Sequence, residues 1–294
     1  MKYAFYPGCV SKGACPELYQ SVMAVYPRLG IALEELTEAA CTGAGCLQEK
    51  DQRLGDTLNA RTLAMAEHKG LSLMTICSTC QGVFAQANKR LKDDSDYLAE
   101  VNKMLAPEGL SYKGTTVVKH FLWVLLEDLE ESVWQDKVVK PLKNLRVAPF
   151  YGCYMQRPSA ALGFDEHPKR QTSLEQLIAA IGAEVIDFAG KDRCCGLPIL
   201  TINEPNSMAM VHKHTTDAKT SGADVMVTPC PLCHLNLDGL QHTAASRHDV
   251  TIDMPILHFS QLLGLAMGLD AKSLGLKRNI ISPKAVLEKA GVGL

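Results

Sequence analysis

The chain has 294 residues, 47% of them hydrophobic and 21% charged, with a formal net charge of −2. That length allows one large domain or two ordinary ones with a core that needs no disulfides, and so small a net charge offers no basic surface to nucleic acid or anionic lipid. Eleven cysteines, an odd number, behind a start (MKYAFYPGC) without a secretory pattern argue against an extracellular disulfide framework and for metal or redox chemistry in a reducing cytoplasm. The longest apolar stretch, 254–269, is broken by His258, Ser260 and Gln261 and is too short to span a bilayer, so a soluble protein is expected.

In chain order, a β-like run at 2–6 (KYAFY) ends in Pro7-Gly8-Cys9. Residues 18–29 have helical spacing through Leu18, Val22, Val25 and Leu29, and 31–36 form a second strand before Cys41-Thr42-Gly43-Ala44-Gly45-Cys46. An Ala-rich amphipathic helix over 56–68 is stopped by Gly70. The strand 71–76 (LSLMTI) feeds Cys77-Ser78-Thr79-Cys80 and a helix over 81–91. A polar stretch, 92–111, precedes 116–129, which is strand-like and then helical. The charged segment 130–144 is the candidate linker between an N-terminal domain (1–130) and a C-terminal domain (145–294).

The second half repeats these events. Its strands at 145–151, 183–188 and 223–228 end in Gly152-Cys153, Cys194-Cys195-Gly196 and Cys230-Pro231-Leu232-Cys233, with helices over 173–181 and 207–221 between them. Residues 254–269 match the end of the first half, His258-Phe259 aligning with His120-Phe121. Alternating strands and helices predict an α/β fold: two βαβαβα halves, each a parallel sheet with right-handed crossovers, and the cysteines on the strand C-terminal edge.

The cysteine pattern of the second half is C-x40-CC-x34-C-x2-C. Structural zinc usually takes two C-x2-C knuckles, and each half has one. Adjacent Cys194 and Cys195 are awkward on a single tetrahedral ion but suit two irons of a cluster. A thioredoxin-type reading of Cys77/Cys80 or Cys230/Cys233 leaves Cys153, Cys194 and Cys195 unexplained. Iron–sulfur is therefore favoured, with zinc as the alternative.

With Cys153, Cys194-Cys195-Gly196 and Cys230-Pro-Leu-Cys233, the chain resembles the cysteine-rich CCG domain proteins, in particular the B subunit of heterodisulfide reductase and its relatives in sulfur-oxidising, lactate- and fumarate-linked redox complexes. The resemblance spans nearly the whole chain. It implies that Cys153, Cys194, Cys195, Cys230 and Cys233 carry a non-cubane [4Fe–4S] cluster and the chemistry. It also implies a ferredoxin-like C subunit and a flavin-bearing A subunit as partners, and a thiol, disulfide or lipoyl-type substrate.

The first half departs from the motif. Cys9, Cys41, Cys77 and Cys80 match, but Thr42 stands where the second cysteine of the pair belongs, with 34 residues between it and Cys77 as between Cys195 and Cys230. Four thiols suit an ordinary [4Fe–4S] cluster; Cys46 is a candidate fifth ligand for a non-cubane one, and an empty or structural site is the remaining reading.

Further candidates around the clusters are Gly43, Gly45 and Gly196, whose backbone would approach cluster sulfides, and Arg193, ranked above Arg157 and Lys191 for offsetting cluster charge or holding a carboxylate. His234 reads equally as a satisfied histidine or a tuning group; His120 and His258 read first as satisfied helix-end histidines. Cys15 reads as a small buried hydrophobe, and 121–129 as core. The leading functional reading is a catalytic iron–sulfur subunit of a thiol/disulfide oxidoreductase. The alternatives are a pure electron relay and a zinc-binding structural protein.

Overall fold

The computed structural model describes residues 1–292; residues 293 and 294, the end of the expected second domain, lie outside the described residues. The first half runs β1 (Lys2–Tyr6), α1 (Cys9–Gly13), α2 (Pro16–Val25), β2 (Ala32–Glu35), α3 (Cys46–Lys50), α4 (Gln52–His68), β3 (Leu73–Thr75), α5 (Ser78–Asp93), α6 (Ser95–Leu105), β4 (Val118–His120) and α7 (Phe121–Glu127). A short α8 (Glu131–Gln135) follows in the expected linker, where Trp134 and Leu142 are buried. The second half runs β5 (Arg146–Pro149), α9 (Ser159–Leu162), α10 (Ser173–Ala180), β6 (Glu184–Val185), α11 (Glu204–Thr220), β7 (Val225–Thr228), α12 (Pro231–Gly239), α13 (Gln241–His248), β8 (Ile256–His258), α14 (Phe259–Ala266) and α15 (Lys284–Lys289). The tail docks on the body, burying Leu274, Leu276 and Leu287.

Each half is a four-stranded sheet, ordered β2-β1-β3-β4 and β6-β5-β7-β8, and every strand pair is parallel. The fourth strand of each sheet extends the expected βαβαβα units. The central strands are apolar on both faces because helices cover both sides, and β7 (VMVT) is buried along its whole length. In both sheets the order reverses beside the first strand, between β1 and β3 and between β5 and β7. Loops leaving strand C-termini diverge at such a point and leave a crevice. Cys9 and Cys77 follow β1 and β3, and Cys153 and Cys230 follow β5 and β7, so both crevices are lined by thiols.

The halves interlock. Helices pack across the halves in two places: α2 of the first on α14 of the second, and α10 of the second on α7 of the first. One apolar cluster accordingly contains Phe5, Leu18 and Trp123 from the first half together with Tyr151, Leu177 and Phe259 from the second. Each large side chain buried this way contributes roughly 1.5–3 kcal/mol. At one seam the Ser21 and Ser260 hydroxyls meet at 2.7 Å, buried. At the other, the Arg170 guanidinium grips Glu127 through Nε at 2.6 Å and Nη2 at 3.0 Å and lies over the Trp123 ring, 4.5 Å from its centroid.

Candidate metal centre

The interlocked packing turns the two thiol-lined crevices toward each other. In the second half the thiols of Cys153, Cys194, Cys195, Cys233 and Cys230 adjoin one another in that order. Cys230 is the N-cap of α12 and Cys233 lies in its first turn. Cys77 caps α5 in the same way, its sulfur accepting the Cys80 N–H at 3.4 Å. Helix N-termini favour thiolate over thiol, which prepares both C-x2-C pairs as ligands. The backbone supports them equivalently: the amide of Cys77 donates to Thr75 Oγ1, and that of Cys230 to Thr228 Oγ1, each at 3.4 Å.

In the first half Cys9 and Cys41 have their sulfurs 3.8 Å apart. The Thr42 hydroxyl is buried and donates to Cys80 Sγ at 3.7 Å. Thr42 therefore stands against Cys80 as Cys195 stands against Cys233. The two sites meet at their knuckles, where Cys77 adjoins Cys230 and Thr79 Oγ1 lies 3.5 Å from Cys230 Sγ. Nine thiols from the two motifs are thus brought into two facing groups.

Crowding sets their protonation. Cys153 is pushed up by the neighbouring Cys194 and by burial, and Cys233 by Cys195 and Cys230. Cys194 goes the other way, down to about 2, because Cys153, Cys195 and the Gly196 amide all bond to it. Cys195 is raised to about 12, chiefly by Cys194. Cys230 is also held well below its usual value: burial opposes this, but bonds from Cys233, Cys77 and Thr79 outweigh it, so two thiolates are stabilised at the expense of protons held on their neighbours. Only a cationic group would let all of them ionise together, because thiolates are the metal-binding form.

The residues fit a soft-metal cluster. Five thiols converge, and amides of Gly196 and Gly43 donate to Cys194 Sγ at 3.4 Å and Cys41 Sγ at 3.5 Å. Gly152, at φ +70°, leaves room where a Cβ would lie 2.8 Å from Cys233 Sγ. Sulfur-only donors with N–H support suit iron–sulfur chemistry better than a hard ion.

The remaining candidates divide. Arg193 is exposed and paired loosely with Asp192 at 3.6 Å, yet it shares with Cys194 the wall of a groove of ≈ 660 Å³ that Ile199, Met210, Lys213 and His214 also line. Arg157 donates to the Asp192 carbonyl at 2.6 Å, and Lys191 is paired with Asp187 and Glu175. Cys46 is exposed at the start of α3, near Tyr154, whose hydroxyl is pushed up chiefly by burial and by the surrounding thiols. Gly45 makes room for a side chain, because a Cβ there would collide with the Tyr154 hydroxyl.

The histidines lie at the seams. His120 Nε2 donates to the Pro229 carbonyl at 3.1 Å, tying the first half to the residue before Cys230, and burial lowers its pKa to about 3. His234 bonds the Ile256 carbonyl at 3.0 Å and turns its other nitrogen toward Cys15 and Glu17. Cys15 is buried, but in a polar setting, its thiol donating to Pro231 O at 3.4 Å.

Sequence reasoning passed over Tyr154, Thr79 and His214. Tyr154 packs against Gly45 and Gly82 of the first half, and His214 Nε2 donates to the Cys194 carbonyl at 2.9 Å. Only Tyr154 and Thr79 carried a signal, by standing beside or between motif cysteines.

Comparison with known proteins agrees with this arrangement. The family model described as "Cysteine-rich domain" (CCG) matches residues 3–85 and 147–238. The 8-methylmenaquinol:fumarate reductase membrane anchor subunit of Wolinella succinogenes is 41% identical over 280 residues, 95% of this chain and 97% of that protein. The B subunit of the ferredoxin/F(420)H(2)-dependent CoB-CoM heterodisulfide reductase of Methanosarcina acetivorans is 30% identical over 293 residues, 98% of this chain and 96% of that one. A crystal structure of a hypothetical protein from Helicobacter pylori superposes with a TM-score of 0.78 at 16% identity, covering 96% of this chain, which spans 52% of that one; the likeness is of fold. No helix among the described residues is long and apolar enough to cross a membrane.

Proposed function

This chain belongs to the cysteine-rich CCG domain family and is related to the B subunit of heterodisulfide reductase, and from that premise we propose that it is the catalytic iron–sulfur subunit of a cytoplasmic heterodisulfide reductase-like complex. Its task would be to make or break a disulfide or sulfane bond of a thiol substrate, with a lipoyl-type thiol the first to try. The observation that carries the reading is the convergence of Cys153, Cys194, Cys195, Cys230 and Cys233 beside a groove with Cys194 on its wall.

A non-cubane cluster held by those five residues would supply thiophilic iron and one-electron chemistry to a sulfur substrate. The protein's own part is placement. Ile199 and Met210 give the groove an apolar wall for an alkyl chain, and Arg193 and Lys213 offer positive charge to a carboxylate at its mouth. The His214 bond to the Cys194 carbonyl holds the loop that presents Cys194. The four first-half thiols, Cys9, Cys41, Cys77 and Cys80, would hold a second cluster, joined to the substrate site through the Cys77–Cys230 contact. Electrons would reach it from a ferredoxin-like C subunit and a flavin-bearing A subunit.

The test is anaerobic purification, iron and sulfide analysis, and viologen-linked reduction of lipoamide and other small disulfides. Stoichiometric clusters with turnover support the reading. A second reading, an electron relay without bond chemistry, is favoured by the Cys77–Cys230 contact and by similarity to a fumarate reductase subunit. It predicts clusters that viologen reduces with no disulfide consumed. Stoichiometric zinc without iron or sulfide would instead support a structural protein.

A further inference from the structure

We propose that Thr79 is a positioning residue for the second thiol site: its hydroxyl reaches across from the first half, donates to the Cys230 thiolate and helps set the reduction potential of the cluster held there. The inference rests on the cluster reading above and names a residue outside the five-cysteine motif that governs that site.

The observation is a clamp on three consecutive residues. Pro229, Cys230 and Pro231 each accept a hydrogen bond from the first half. His120 Nε2 lies 3.1 Å from the Pro229 carbonyl, Thr79 Oγ1 3.5 Å from Cys230 Sγ, and Cys15 Sγ 3.4 Å from the Pro231 carbonyl. The partners are 109, 151 and 216 positions apart in the chain, so no local turn makes these bonds. All three donors sit where helices begin in the first half. Cys15 is the N-cap of α2, Thr79 lies in the first turn of α5, and His120 is the N-cap of α7. All three and Cys230 are buried, so water does not compete for the bonds.

The two outer bonds hold the turn. A carbonyl only accepts, so His120 carries its proton on Nε2, and its Nδ1 accepts the Leu122 amide at 3.3 Å. Both ring nitrogens are thereby committed, and the ring is a fixed anchor. The middle bond acts on the sulfur itself. A cysteine bound to a metal has lost its proton, so the Thr79 hydroxyl must be the donor. Hydrogen bonds to a ligand sulfur favour the more negative, reduced state and so raise the potential.

The sequence around Cys230 calls for an outside donor. Pro229 and Pro231 flank it without an N–H, whereas Ile76 and Ser78, the equivalents around Cys77, each have one. Leu232, at the place equivalent to Thr79, has no hydroxyl to return to Cys77, so the bond runs one way. Thr42 gives Cys80 a similar bond at 3.7 Å but stays within its own half. Thr79 differs in standing between two ligands of one site, Cys77 and Cys80, while bonding a ligand of the other.

The test is a redox titration of the full chain, purified anaerobically with its clusters and followed by electron paramagnetic resonance. Thr79→Val keeps the shape and removes the hydroxyl; Thr79→Ser keeps the hydroxyl. In Thr79→Val, iron and sulfide are expected to stay at the wild-type level and the second-site midpoint to fall. At the wild-type midpoint the oxidised-to-reduced ratio should rise roughly threefold or more, with a smaller shift at the first site. Thr79→Ser should return the second-site midpoint most of the way. An unmoved second-site midpoint in Thr79→Val, an equal shift at both sites, or a Thr79→Ser shift as large as that of Thr79→Val would overturn the proposal. If Thr79→Val loses iron, Thr79→Ser decides: wild-type iron and midpoint there support the hydroxyl's role, and loss in both variants overturns it. A wild-type chain without iron removes the cluster reading and this inference with it, whereas a loaded chain with an unmoved midpoint removes the inference alone.

Discussion

The two thiol sites share a backbone plan and differ at one side chain. Both have a cysteine after the first strand, one after the second, and a C-x2-C opening the helix after the third. Threonine hydroxyls take the amide at equivalent places, Thr75 for Cys77 and Thr228 for Cys230. Against that background Thr42 replaces a thiol without disturbing the loop: its hydroxyl bonds Cys80 Sγ where Cys195 adjoins Cys233. A threonine Oγ cannot bridge or hold a soft iron as a thiolate does. One duplicated scaffold thus carries two donor sets, and the difference is chemical rather than architectural.

The comparison is broken most severely by Cys195→Ser. It removes the thiol that distinguishes the second site, and on the proposed function we expect loss of that site's spectrum and at least a hundredfold loss of disulfide-linked turnover; unchanged turnover would make the site a bystander. Thr42→Cys runs the comparison the other way. The thiol fits the buried position with little change in volume, and the two halves are expected to converge on one paramagnetic signature. A spectrum identical to the wild type would show that Thr42 is not what separates the sites.

A milder contrast uses the glycines that precede Cys9 and Cys153. Gly8 and Gly152 both have positive φ, at +80° and +70°, so alanine costs on the order of 1–2 kcal/mol of backbone strain at either. The new Cβ would lie 2.8 Å from Cys233 Sγ at Gly152 but 3.4 Å from Cys80 Sγ at Gly8. Gly152→Ala is expected to displace a ligand and lose half or more of the second-site cluster, and Gly8→Ala to retain most of the first. Iron content after desalting measures both.

The duplication was legible because the cysteines sit at fixed registers after strands, and short apolar runs such as KYAFY mark strands buried on both faces. Helix α6 was not, since its buried face is carried by Val101 and Leu105 in an otherwise polar stretch; the Asp94 N-cap was its one local sign. Strand β6 is two residues long where six apolar-leaning positions suggested more. The interlocking of α2 with α14 and of α7 with α10 is a long-range choice that no local pattern records. For the same reason Cys15 looked like a lone hydrophobe: Pro231 and His234, which give it polar company, are over two hundred positions away. The C-x2-C pairs stood out in the sequence as candidate ligands, whereas Tyr154 and His214 became visible once the halves were packed.

The two seams between the halves give the smallest and most local test. At the α7/α10 seam Glu127 sits between Arg170 and Lys119, and at the α2/α14 seam two serine hydroxyls meet. Burial alone would raise the Glu127 carboxyl, but Arg170 and Lys119 outweigh it and hold the group below its usual value. A carboxyl lowered in the folded state adds stability that is complete above the unfolded value of about 4.3 and is lost as pH falls through the folded one. Glu127→Gln leaves Arg170 buried against Trp123 without its counter-charge, a change that costs about 3 kcal/mol when the pair is fully buried and less here because the seam is partly open. The melting temperature of the variant should therefore fall at neutral pH by several degrees and converge on the wild type as pH drops toward 3, with cluster content unaltered. Ser21→Ala should cost about 1 kcal/mol at most and show no such pH dependence. A gap between Glu127→Gln and the wild type that stays constant from pH 7 to 3 would mean that packing of Arg170, and not its charge pair, holds that seam.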